Sequence, residues 1–347
     1  MIYFDVTKSA WAGHRSGLMR VNECLRAALG AAATEVIWDD ALREFPTGDR
    51  VKPAPGDWFL SAELATDSER PGLDEFLRSK QLPSAAIFHD AIPLKFPDIT
   101  WPQSVARHPA YMKQLAARDR VWAVSAASKA ELVAFWQWQG VARTPPVDVL
   151  ALGADFNGIP RVTARNRPAD AVPQLLCVGI LEPRKNQMLL LDAAEKLWAE
   201  GRRYQLHLVG RVNPHFGRPI VARIKALQRK YPALRYHDAA DDETVASLYA
   251  NARASVFPTL AEGCGLPLLE SLWEGVPCVC SDLPVLRENA ADGGCLPVPV
   301  NDVAAWTDAL RRVLTEDDLV AQLEREAGSR SLPTWAEAAR AVQARLK

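Results

Sequence analysis

Short apolar, β-branched runs alternate with amphipathic stretches along this sequence, and the whole pattern is played through twice. In the first half, strand-like runs fall at 2–6, 35–38, 57–62, 85–89, 120–125 and 147–152, with helical periodicity at 16–29 and 128–139. In the second half, strands are expected at 175–180, 204–210, 234–237, 254–258 and 277–281. Helices are expected there over 186–200, 217–230, 242–252 and 265–275. Strands separated by helices cannot close as hairpins, so they pair in parallel, and helices cover both faces of the sheet. The predicted fold class is α/β, with two Rossmann-like, doubly wound domains facing a central cleft. Ligands of such sheets bind at the carboxyl ends of the strands.

Length agrees with two cores: 347 residues exceed what a single hydrophobic core usually organises. The stretch 153–173 is rich in Gly, Pro, Arg and Asn and has no periodicity. We therefore place a first domain over 1–155, a linker over 156–173 and a second domain over 174–330. The last amphipathic stretch, 331–347, is short enough to dock anywhere, including back on the first domain.

A formal net charge of −1 gives no general attraction to nucleic acid. No run approaches the roughly 18–20 apolar residues that span a bilayer, and Asp5 interrupts the apolar start that a signal peptide needs. The six cysteines sit mostly in strand-like segments. Cys278 and Cys280, one residue apart, do not have zinc-ligand spacing, so reduced thiols and a cytoplasmic location are expected. Phe135, Trp136 and Trp138 crowd one helical stretch. They read either as packing residues or as a surface for a glycan or for peripheral contact with a membrane's inner face.

The most informative segment is F-P-T-L-A-E-G-C-G-L-P-L-L-E over 257–270. A strand ends, a glycine loop follows, and a helix starts near Gly265, with Pro267 suited to its first turn. Glycines let backbone approach a ligand, and the amides of a helix start attract anions; a diphosphate fits both. Leu266 and Glu270 are four apart and so share one helix face. A phosphate on the amides near Leu266 would set its ribose beside the Glu270 carboxylate, which can accept from both hydroxyls of a vicinal diol. Glu262 would then lie toward the sugar. The same spacing also fits a helix that merely packs through Leu268, Leu269, Leu272 and Trp273, with Glu270 a solvated acid.

The Glu262-x7-Glu270 spacing within E-G-C-G-L-P-L-L-E resembles the signature of retaining family 4 glycosyltransferases of the GT-B fold, with Cys264 where an aromatic is usual. The segment V-G-I-L-E-P-R-K-N-Q over 178–187 resembles that family's strand–loop carrying an Arg-Lys pair. The resemblance implies that Arg184 and Lys185 meet the donor diphosphate, where fixed cations would stabilise the leaving charge in the transition state. Asn186 is expected to cap the following helix. I-F-H-D-A-I-P over 87–93 resembles the H-D-x-I-P segment, which places His89 by the donor sugar and leaves Asp90 to cap a turn. A-G-H-R-S-G over 12–17 resembles the family's glycine loop, with Gly17 letting backbone near the diphosphate or the acceptor. Ser125 reads as a helix cap.

The resemblance therefore implies Glu262, His89, Arg184 and Lys185 as catalytic. For donor binding it implies Gly17, Gly179, Arg184, Lys185, Glu262, Gly263, Cys264, Gly265, Leu266 and Glu270. The implied reaction is retaining transfer of a sugar from a nucleotide-diphosphate donor, GDP-mannose favoured over UDP-sugars, to a glycan or lipid-linked acceptor in surface polysaccharide synthesis. No cofactor is expected. No metal is expected either, since Asp241-Asp242 read as helix-start acids rather than as an Asp-x-Asp ion site. The alternatives are a non-catalytic nucleotide-sugar-binding protein and a GT-B-like phosphorylase or epimerase. A Rossmann oxidoreductase is excluded by the lack of G-x-G-x-x-G.

Overall fold

The computed structural model describes residues 1–11, 16–46, 52–166 and 171–346. Residues 12–15 of the expected glycine loop and 167–170 of the expected linker lie outside these. The chain divides into two compact units, Met1–Gly153 with Pro333–Lys347, and Ala154–Leu332.

Among the described residues, the first unit holds a six-stranded parallel sheet: β1 (Ile2–Asp5), β2 (Ala33–Val36), β3 (Trp58–Ser61), β4 (Ser84–Phe88), β5 (Arg120–Ala123) and β6 (Val147–Val149). Their spatial order is β2-β1-β3-β4-β5-β6. Every pair is parallel, for example Ile2 with Ala33 on one side and Trp58 on the other. Phe4, Leu60, Ile87 and Val121 are wholly shielded from solvent, as strands covered on both faces require. The final helix, Trp335–Arg345, opens on a reciprocal cap between Thr334 and Glu337. It packs on the helix Gly17–Leu29, so the end of the chain belongs to the first unit. The aromatic stretch divides by helix face. Trp136 is buried and donates its indole N–H to the Met112 carbonyl at 2.7 Å, whereas Trp138 is 78% exposed.

The second unit repeats the plan with β7 (Gln174–Val178), β8 (Gln205–Val209), β9 (Leu234–His237), β10 (Ala254–Phe257), β11 (Cys278–Ser281) and β12 (Cys295–Val298). The order here is β12-β11-β10-β7-β8-β9. Successive residues of β7 point to opposite faces. Leu175 joins the cluster of Leu190, Leu197, Ile224, Trp306 and Leu310, while Leu176 joins Tyr249 and Val276. Strand β12 is absent from the sequence expectation: it carries Pro297 and sits at the sheet edge, where a missing N–H is tolerated.

The stretch read as a linker is in part a strap on the second unit. The Val162 N–H donates to the Trp273 carbonyl at 3.0 Å, and the Trp273 indole donates to the Ile159 carbonyl at 2.8 Å. Arg165 donates to the carbonyls of Tyr249, Ala250 and Ala252 at the end of the helix Asp242–Asn251. Arginines that satisfy helix-end carbonyls are structural fasteners, and no local periodicity could reveal them.

Candidate active site

The loop leaving β7 and the loop leaving β10 lie side by side at the carboxyl end of the second sheet. The first turns through Gly179, φ 157°, beside Gly210 at the end of β8. A methyl group added to Gly210 would stand 2.1 Å from the Gly179 carbonyl oxygen, so the two strands come this close because Gly210 lacks a side chain. The loop then forms a single tight turn, Pro183–Lys185, and enters the helix Gln187–Ala199. Asn186 does not cap that helix with its side chain, contrary to expectation. Its backbone is left-handed, φ 54°, and its amide donates instead to Asn301 at 3.2 Å. The left-handed turn is what swings Arg184 and Lys185 across to the second loop.

There they meet Glu262. Lys185 Nζ lies 2.6 Å from Glu262 Oε1, and Arg184 Nη1 lies 3.1 Å from the same oxygen. The buried Thr259 hydroxyl donates to it as well, at 2.7 Å. Arg184 also donates to the Ala261 carbonyl at 2.9 Å and pairs with Glu182 at 2.8 Å, which in turn accepts from Asn213 at 3.0 Å. The Lys185 ammonium stands 5.0 Å from the centre of the Phe257 ring, a favourable face for a cation.

Burial pushes the Glu262 carboxyl up, but Lys185 and Arg184 outweigh it and hold the group below the usual carboxylate range. Burial lowers Lys185, with Glu262 working against the shift and Arg184 with it. Two hydrogen bonds, from Lys185 and Thr259, and the Arg184 ion pair thus fall on the Oε1 oxygen.

Gly265 adopts a left-handed conformation, φ 85°, and opens the helix Leu266–Trp273, with Pro267 in its first turn. Gly263 and Gly265 are buried, and Leu266 is half-buried. A methyl on Gly265 would strike Leu286 at 2.5 Å. Glu270 is only 7% exposed, so the solvated reading of that acid does not hold. Its charge reaches Glu274, whose carboxyl is raised first by burial and then by Glu270, against Arg165. Cys264 is no nucleophile: burial, then Glu262 and Glu288, push its thiol up to about 12.

The loop pair thus brings together Gly179, Arg184, Lys185, Glu262, Gly263, Cys264, Gly265, Leu266 and Glu270 in the second unit. Thr259, Glu182, Asn213 and Phe257 complete the arrangement and were not anticipated. The one local signal is the Thr259 hydroxyl, three residues ahead of Glu262.

His89 and Gly17 belong to the first unit. His89 is buried, and its Nε2 hydrogen bonds the Ala62 carbonyl at 2.8 Å. A carbonyl only accepts, so Nε2 carries the proton. Burial lowers the imidazole, against Ala62 and Asp90, and a neutral ring leaves Nδ1 as an acceptor. Asp90 caps the turn as expected, accepting from the Ile92 N–H at 3.0 Å. Gly17 starts its helix behind Ser16, which accepts from the Met19 N–H, and Ser125 caps the helix Ala126–Trp138. Asp241 caps the helix Asp242–Asn251 through the Thr244 N–H at 2.8 Å, as expected.

A second polar group, unseen in the sequence, lies at the ends of β1 and β3. Arg70 joins Asp5 to Glu63, all three buried, and Glu63 also accepts from the backbone N–H groups of Lys8 and Ser9, each at 2.8 Å. Of this group Glu63, with Lys8, Ser9, Asn22 and Arg107, lines a cavity of about 160 Å³ within the first unit.

Residues 172–316, all within the second unit, match the model of the family described as glycosyl transferases group 1. The serotype-specific mannosyltransferase WbdA of Escherichia coli is 32% identical over 219 residues, 59% of this chain and 27% of that protein. The O-antigen chain mannosyltransferase B of Escherichia coli is 36% identical over 175 residues, 48% of this chain and 45% of that protein. The chain therefore spans less than half the length of either relative. Among solved structures, sucrose-phosphate synthase from Thermosynechococcus elongatus has TM-score 0.71 at 19% identity, covering 98% of this chain and 96% of that one. HepE from Anabaena, solved with UDP and glucose, has TM-score 0.72 at 14% identity, covering 99% and 98%. The fold is that of GT-B glycosyltransferases.

Proposed function

Taking the match to the glycosyl transferases group 1 family as premise, we propose that this chain transfers a hexose, mannose before others, from a nucleotide-diphosphate donor to a glycan acceptor. The observation that carries the reading is the convergence of Arg184, Lys185 and Thr259 on one oxygen of Glu262, beside the amide-lined start of the helix Leu266–Trp273. Anionic ligands are held by such helix starts, and adjacent cations take up the charge that grows on the departing diphosphate. Glu262 meets the sugar, and Glu270, one turn up the helix, takes the ribose. Retention is taken to follow from front-face attack, since Cys264 is held as a thiol and Glu262 is tied to two cations. Mannose and a surface-polysaccharide acceptor are favoured by the relatives' names, which are O-antigen and serotype-specific mannosyltransferases. The reaction runs without metal, the two cations taking the role of the ion.

The test is a thermal-shift screen of UDP, GDP, ADP and their sugars, followed by transfer to a mannoside with the best donor. A bound nucleotide stabilises by mass action. Nucleotide binding without product over long incubation would make the chain a binding protein. Product of inverted configuration would end the front-face route.

A further inference from the structure

The amide row at the start of the helix Leu266–Trp273 is held in place by a neighbouring helix, Pro284–Ala290. Asn289, from that helix, donates its side-chain N–H to the Cys264 carbonyl at 2.5 Å. In a planar trans peptide the C=O and the following N–H point in opposite directions, and the described chain has no cis bonds. Fixing the Cys264 carbonyl toward Asn289 therefore turns the Gly265 N–H away from that helix and out of the loop. Among the described residues no backbone carbonyl takes the N–H groups of Cys264, Gly265 or Leu266. They are the orphan donors of a helix start, available to an anion.

The rest of the contact is built to fit. Leu286, one turn before Asn289, lies where a side chain on Gly265 would have to go, at 2.5 Å, and the Asn289 amide itself would stand 3.6 Å from it. The side chain of Asn289 also hydrogen bonds the Cys264 thiol, so both ends of that residue are gripped. A left-handed glycine, φ 85°, is the flexible point of the loop, and the grip falls on the residue just before it.

We propose that Asn289 is a positioning residue of the donor site: by holding the Cys264 carbonyl it aims the Gly265 and Leu266 amides at the diphosphate of the donor. This rests on the reading of that loop as the diphosphate site. Asn289 touches the loop and acts on the ligand only through it. The nucleotide's base and sugar are recognised elsewhere.

The test measures affinity for GDP, UDP and ADP by calorimetry on the whole chain, then repeats the tightest with variants. Asn289→Ala weakens it about tenfold, the measure of one well-placed hydrogen bond. Asn289→Asp, whose carboxylate cannot donate to a carbonyl, weakens it further, and Asn289→Gln, which keeps the amide, recovers part of the loss. In turnover with the nucleotide sugar, donor KM rises and kcat stays near that of the wild type. Arg287→Ala controls for loosening of the same helix, because it removes the surface pair with Asp282 at 2.5 Å and leaves the loop alone; affinity stays within twofold. Asn289→Ala binding within twofold of wild type, or Arg287→Ala losing as much, would overturn the proposal. Wild-type protein that binds none of the three diphosphates would instead remove the diphosphate reading and the proposal with it.

Discussion

The Lys185 ammonium and the Glu262 carboxylate, 77 residues apart in sequence, stand 2.6 Å apart, with each side chain about nine-tenths shielded from water. A buried ion pair adds little net stability over an apolar pair, but removing one partner leaves an uncompensated charge. Glu262→Gln should cost about 3 kcal/mol of stability and abolish transfer. Lys185→Met together with Glu262→Gln should be less destabilised than the sum of the two single changes, as a double-mutant cycle in urea reports. Additive losses would mean that the pair is not coupled.

Arg184 should act on the reaction more than on the fold. It is one-fifth exposed and shares its guanidinium between Glu182 and Glu262. Arg184→Ala should lower kcat at least a hundredfold, by loss of charge stabilisation on the leaving diphosphate, and leave the thermal midpoint within a few degrees. A change in donor KM alone would assign Arg184 to ground-state binding.

Chelation should leave transfer unaltered. The proposed site places two fixed cations, Arg184 and Lys185, beside the leaving group. Rates with and without excess EDTA decide the matter; loss restored by a divalent ion would count against the role given to Arg184 and Lys185.

Gly210→Ala should be among the most damaging small substitutions. The added carbon would lie 2.1 Å from the Gly179 carbonyl oxygen, a backbone atom that cannot turn aside. We expect at least about 2 kcal/mol of lost stability and weakened nucleotide binding, since Gly179 leads into the Arg184 loop. An unfolding midpoint equal to wild type would refute the close approach of β7 and β8.

Acid should weaken the fold through His207. Its Nδ1 lies 3.0 Å from His237 Nε2, its Nε2 3.0 Å from Gln205, and the two imidazole rings are stacked. Burial, then the neighbouring His237 and Arg235, lower His207 to about 4. A histidine whose folded value lies below its unfolded value binds fewer protons when folded, so its neutral form stabilises at pH 7. That stability begins to fall below about 6.5 and is lost as the pH approaches 4. Denaturation midpoints from pH 7 to 4.5 should therefore decline, and His207→Leu should flatten the decline. Equal slopes in both proteins would rule the histidine out.

Much of this was legible in the chain order alone. Eleven of the twelve described strands begin or end within about two residues of where apolar runs and turn residues put them, because a strand's period and a helix's cap are local properties. Ser125 and Asp241 cap their helices as their types predict. In the second unit the helices Pro284–Ala290, Val303–Thr315 and Asp317–Ser329 and the edge strand β12 were missed. The strand fails locally because it is short and contains Pro297, and its partner β11 alone makes it a strand.

What the sequence by itself determined is the class of fold and the chemical types at the loops: a strand, glycines, two cations, an acid, then an amphipathic helix. Periodicity and turn chemistry act over a few residues, and they are sufficient for that. Only the tertiary structure decided which groups meet. It placed Thr259 and Lys185 on the same oxygen of Glu262, set Asn289 against the Cys264 carbonyl, and joined Asp5 to Glu63 through Arg70. Those contacts depend on strand order and on the turn angle at single residues such as Asn186, and both are fixed by the packing of the whole sheet rather than by neighbours along the chain.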